Sequence, residues 1–143
     1  MSAPVLAAPS AKMGAMPEIP AIELVQPLPG FPEMRRFALV QVDDDGLLCE
    51  LRSLEDESLR FLVMSPVPFF PDYAPEVSDE VVEELQITSS GDVIVLLVLN
   101  AGTSLATTTA NLMAPVVVNT ATLRGLQVIL DDPTLPLAAP LVA

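Results

Sequence analysis

The chain predicts a mainly β domain, an antiparallel sheet curled into a barrel or a sandwich, with one or two short helices. Three observations carry that expectation: eight or so short apolar runs rich in branched residues, turn signals at close spacing between them, and a single stretch with the one-sided apolar pattern of a helix. At 143 residues, 51% of them hydrophobic, the chain can bury one real core and is not a candidate for disorder throughout. Its longest unbroken apolar run, residues 93–99, is far short of the ~18 residues a membrane-spanning helix needs.

Residues 1–21 are rich in Ala and Pro and are expected to form a disordered arm that folding does not require. The single domain is expected over residues 22–135, beginning with a strand over 22–28. Pro29-Gly30 is a turn pair, and Pro32 can open a short helical turn. Two strands over 37–42 and 47–51 flank Asp43-Asp44-Asp45-Gly46, where Asp-Gly suits a tight hairpin. A calcium loop would need alternating acids and a twelfth-position Glu; Leu54 stands there, so a solvated hairpin tip is the better reading. Residues 54–58 read as a polar loop and 59–64 as a strand. Pro66, Pro68 and Pro71 then force an extended, irregular path, because a residue before proline avoids the helical region.

Ser78 can cap a helix starting at Asp79, with Asp79 and Glu80 at its positive end and Val81, Val82 and Leu85 on one side. After a turn over 89–92, residues 93–99, 105–110, 112–118 and 126–130 read as strands, with Pro115 confined to a bulge, a strand start or an edge. Pro133, Pro136 and Pro140 argue for a flexible tail over 136–143.

Six basic residues against nineteen acidic ones give a net charge of -13, and there is no His. Neutralising phosphates needs Lys and Arg, so direct nucleic-acid binding is disfavoured; an acidic surface suits solubility or a basic partner. Without His neither a histidine-based triad nor the usual zinc site can be built, and the lone Cys49 permits no internal disulfide. Gly91 and Gly102 stand apart in turns, so no phosphate loop appears, and no cofactor or metal is expected. A pair of carboxylates, as in glycoside hydrolysis, is the one catalytic arrangement left; Asp72 or Asp92 could contribute. Nineteen acids make chance pairs common, and aromatics total only 4% with no Trp, so solvated carboxylates are favoured.

The block Phe69-Phe70-Pro71-Asp72-Tyr73 admits two readings. Aromatics on a proline-stiffened loop make interface anchors, while two Phe and a Tyr beside an apolar strand also serve as core plugs. Asn111 and Asn119 bracket the valine-rich run and suit turns whose backbone groups need a side-chain partner.

The run Thr-Ala-Asn-Leu-Met-Ala-Pro-Val-Val-Val-Asn from Thr109, followed by Gly-Leu-Gln-Val-Ile-Leu from Gly125, resembles the signature of the flagellar assembly factor FliW family. Pro29-Gly30-Phe31, Leu51-Arg52-Ser53 and the Phe61-Leu62-Val63 to Tyr73 block fall in that family's order, so the likeness spans residues 22–135. Between barrel and sandwich, the resemblance implies an imperfectly closed barrel. It also implies a non-catalytic cytoplasmic protein, expected to be a monomer, that binds flagellin before export. When free it would bind the RNA-binding repressor CsrA, coupling flagellin export to its translation. Phe31, Phe70, Pro71, Asp72, Tyr73, Asn111, Pro115 and Asn119 are the candidate partner-binding residues. The alternative is a β-barrel that handles a small molecule or carbohydrate, possibly a two-carboxylate hydrolase.

Overall fold

A computed structural model describes residues 2–4, 18–28, 30–43, 48–66, 69–70, 73, 75–100, 102–104, 107–130, 132 and 134–141. In chain order the elements are β1 (Ser2–Pro4), β2 (Ile19–Leu24), β3 (Arg36–Gln41), β4 (Leu48–Ser53), β5 (Arg60–Met64), β6 (Glu76–Ser78), α1 (Asp79–Glu84), a 3₁₀ turn (Ser90–Asp92), β7 (Val93–Asn100), β8 (Thr109–Ala110), β9 (Val116–Asn119), β10 (Arg124–Gln127) and β11 (Ala139–Pro140).

Among the described residues, seven strands close into a ring in the order β7-β5-β4-β3-β2-β10-β9 and back to β7. An odd ring cannot alternate direction all the way round, so at least one neighbouring pair must run parallel. That pair is β2 with β10, Glu23 opposite Arg124 and Leu24 opposite Gly125, and every other pairing is antiparallel. The expected antiparallel barrel therefore holds except at this seam. A Cβ on Gly125 would meet Ile22 Cγ2 at 3.1 Å, Leu24 Cδ2 at 3.3 Å and Val118 Cγ2 at 3.4 Å. Close approach at the seam explains the missing side chain.

Because side chains alternate along a strand, every second residue of each strand fills the ring. Phe37 and Leu39 of β3, Cys49 and Leu51 of β4, Ile94 and Leu96 of β7, and Val116 and Val118 of β9 meet there with Ile22 and Leu24. The outer faces of β7, β9 and β10 are also covered. Val93, Val95, Val117 and Leu126 pack under Val77 and Leu85, with Val81 and Val82 of α1 against them. Leu97, Leu99 and Ala110 pack with Leu112, Ala139 and Leu141. This double burial is why residues 93–99 are apolar at every position rather than at alternate ones.

Several boundaries differ from those the sequence suggests. The first strand of the ring begins at Ile19, inside the expected arm, because Ile19 and Ile22 both face the ring interior. Ser2–Pro4 also pair, with β6. At Gly30 a turn forms: Gly30 takes φ +87°, and Phe31 N–H donates to Leu28 O at 3.0 Å, the backbone of a turn that needs glycine; Pro29 of the expected turn pair lies outside the described residues. The hairpin of β3 and β4 pairs as expected, Phe37 opposite Ser53 through Gln41 opposite Cys49; its tip at 44–47 lies outside the described residues.

The strand expected over 112–118 starts only at Val116. Asn111 Oδ1 accepts from Met113 N–H at 3.0 Å and Ala114 N–H at 3.1 Å, which folds the chain into a turn first. The run after Thr107 is likewise reduced to Thr109–Ala110, since Thr107 and Thr108 bond back to Ser104 O. Part of the expected flexible tail is held: Ala139 opposes Ala110, Ala139 and Leu141 are buried, and Leu112 N–H reaches Pro136 O at 3.0 Å, while residues 142–143 lie outside the described residues. The spaced prolines stop a helix there without preventing apolar burial.

Candidate partner-binding surface

Helix α1 carries four exposed acids, Asp79, Glu80, Glu83 and Glu84, and its fastening explains several sequence features. Ser78 Oγ accepts from Val81 N–H at 3.4 Å, capping the start as expected. At the other end Gln86 takes φ +57°. Ile87 N–H bonds to Val82 O at 2.9 Å and Gln86 N–H to Glu83 O at 3.1 Å, a Schellman closure made with Gln where Gly is usual. The last carbonyls are met from β9 and its turn. Asn119 Nδ2 donates to Leu85 O at 2.8 Å and Gln86 O at 3.1 Å, and Thr122 Oγ1 donates to Leu85 O at 3.1 Å. Thr120 Oγ1 donates to Asp92 O at 2.7 Å. With its apolar side held down, α1 presents Asp79, Glu80, Glu83 and Glu84 to solvent.

The candidate residues fall into separate places. Phe70 and Tyr73 are half-buried against the cluster containing Leu97 and Leu112, and Tyr73 Oη donates to Leu112 O at 2.6 Å. Asn111, whose side chain shapes the turn at Met113, is joined to that cluster through Leu112, so these three lie on one flank. Pro71 and Asp72 lie outside the described residues. Pro115 is buried, and its carbonyl accepts from Val128 N–H at 2.9 Å. Asn119 is at the far end of β9 under α1. Phe31 belongs to the ring-interior cluster, edge-on to Phe61 with ring centroids 5.5 Å apart at 80°. Asn111 and Asn119 thus serve turns and a helix end, and Phe69 and Phe70 both pack on the third cluster.

Not every acid faces solvent idly. Glu55 Oε1 accepts from Arg35 N–H at 2.7 Å and Arg36 N–H at 2.9 Å. Those two backbone donors hold its carboxyl below the usual range. Glu50 pairs with Arg52 at 2.9 Å on the ring's outer wall. Burial, with Asp43 and Glu18 adding to it, pushes the Cys49 thiol up to about 11, so this side chain is an inert core group. Burial likewise raises the Tyr73 phenol.

Sequence reasoning missed three features. Thr122 fastens the end of α1 and Thr120 the 3₁₀ turn at Asp92; the short polar run after Asn119 was the available signal. The Arg35 guanidinium bonds Val25 O at 2.9 Å, a partner ten residues away. Ile129 and Leu137 are 68% and 64% exposed, although Ile129 lies in an apolar run that reads as core. It alternates with buried Val128 and Leu130, so the pleat turns it outward.

Among the described residues, no group of three His, Cys, Asp or Glu side chains is placed to hold a metal ion, and no helix is long and apolar enough to cross a membrane. Comparison with known proteins is consistent from sequence through fold. The sequence profile described as FliW protein matches residues 10–141. The flagellar assembly factor FliW of Bacillus licheniformis is 40% identical over 105 residues, covering 73% of each chain. That of Clostridium novyi is 36% identical over 111 residues, covering 78% of each, and that of Clostridioides difficile 30% identical over 111 residues, covering 78% of this chain and 85% of the other. A crystal structure of a flagellar assembly factor FliW superposes with a TM-score of 0.82 at 29% identity, covering 99% of this chain and 98% of that one. With the sequence profile spanning most of the chain and the same barrel in a solved relative, this chain belongs to the FliW family of flagellar assembly factors.

Proposed function

We propose that the protein is a non-catalytic assembly factor that binds flagellin in the cytoplasm before export. When free, it binds the RNA-binding repressor CsrA and removes it from the flagellin message. Family membership is the observation that carries this reading. Two features of the molecule support it. The ring interior is filled by apolar side chains such as Phe37, Leu51 and Ile94, which leaves the outside of the barrel as the working surface. The exposed acids of α1 suit a partner that is basic because it grips RNA, and they would steer that encounter.

The test is a pull-down from lysate of the source organism, with and without added flagellin, followed by a salt titration of each purified complex. Flagellin should co-purify, CsrA should be captured when flagellin is depleted, and CsrA affinity should fall as salt rises. Capture of neither protein would overturn the reading; CsrA binding that ignores salt would remove its electrostatic part.

A further inference from the structure

One pairing stands apart from the barrel. Ser2–Pro4 and Glu76–Ser78 form a separate two-stranded antiparallel sheet, Ser2 opposite Ser78, Ala3 opposite Val77 and Pro4 opposite Glu76. The acceptor strand β6 is rigidly placed: Val77 is fully buried in the cluster beneath α1, Pro75 before it is buried, and Ser78 after it caps the helix. Among the described residues β6 has no other strand partner. An unpaired strand edge offers its N–H and C=O groups to any extended segment, so this one suits a strand. The occupying strand is poorly equipped to stay. It is three residues long, against a usual length of about 5–6, and Pro4 has no N–H to give. It also lies outside residues 10–141, the span the sequence profile matches. Residues 5–17 connect it to the barrel, and such a link keeps its local concentration on the order of millimolar however weak the pairing.

The geometry points to β6 as a strand-acceptor site that the chain's own Ser2–Pro4 segment fills reversibly. The segment is an exchangeable cap: while seated it closes the edge beside α1, and when it leaves, the edge accepts another extended peptide segment in the same antiparallel register. This holds whether or not flagellin and CsrA are the partners.

The test uses the full chain and a double variant, Ser2→Pro with Ala3→Pro (S2P/A3P), which removes every bond β1 donates to β6 and, by keeping only its carbonyls, weakens the pairing that protects the amides of 76–78. Hydrogen exchange is followed at the amides of residues 76–78 and, as a control for intact folding, at those of β7 and β9. The variant should exchange roughly tenfold or more faster at 76–78, with β7 and β9 unchanged. Millimolar synthetic peptide carrying residues 1–9 should then restore protection in the variant and leave the wild-type chain unaffected. Equal exchange at 76–78 in both proteins would show that the segment does not cap β6. Faster exchange that the peptide cannot reverse would show that the edge accepts no strand in trans. A wild-type dimer that the variant converts to monomer would assign the strand to a second copy and overturn the intrachain cap.

Discussion

Asn119→Ala should be among the most damaging single polar substitutions in the barrel. The side chain is 1% exposed and makes three bonds: to Leu85 O, to Gln86 O and from Ala121 N–H at 2.9 Å. Alanine removes all three. Leu85 O keeps Thr122 as a donor, so the groups newly left without a partner are Gln86 O and Ala121 N. Each such loss costs about 1–3 kcal/mol when water cannot reach the group. Gln86 and Ala121 are exposed residues, which places each at the lower end, for a total of about 2 kcal/mol. For a domain of this size that is a fall in Tm of roughly 6–8 °C.

Asn119→Asp should be worse than Ala, because it turns carboxylate oxygens toward two carbonyls. Urea unfolding followed by far-ultraviolet circular dichroism reads the effect as a lower midpoint at unchanged slope. A change in Asn119→Ala below about 0.5 kcal/mol, the range of an ordinary surface site, would refute the claim that this amide ties α1 to the barrel.

Gln86→Gly should raise stability by about 0.5–1 kcal/mol, since Gln86 holds a left-handed conformation that glycine adopts without steric cost; an unchanged or lower urea midpoint would count against that strain. Cys49 should resist thiol reagents at pH 8 in the native protein and react on unfolding, and fast labelling of the folded chain would contradict its burial. Its thiol is held protonated from the ordinary 9.0 up to about 11. Across that window the unfolded chain has lost a proton that the folded chain keeps, so stability is complete below pH 9 and falls as pH rises toward 11. The raised Tyr73 phenol adds to the fall in the same direction. Urea midpoints measured from pH 8 upward should decline less steeply in Cys49→Ala; parallel curves would remove Cys49 as a cause.

Local signals decided a good deal of this molecule. The alternation in residues 48–53, the Gly30 turn, the Ser78 cap and the double-sided burial of residues 93–99 follow from side-chain period, backbone freedom and short-range bonds, all of which act within a few residues. The candidate surface was less legible. Asn119 could be read as a side-chain partner for the backbone of a turn, but not as one for a helix end, because Leu85 lies 34 residues away. Ile129 looked like core because an apolar run does not reveal which of its faces meets another element. The tail looked loose because its prolines are visible locally, whereas the pairing of Ala139 with Ala110 is not.

The chain alone therefore determined the β class, the position of the helix and the apolar faces. Tertiary structure decided which strands became neighbours. An odd ring required a parallel pair, which fell at β2 and β10, Gly125 let them close, and distant carbonyls found Asn119. The reason is range: periodicity records that a face will be buried, while the choice of what buries it is made by surfaces that meet only when the ring shuts.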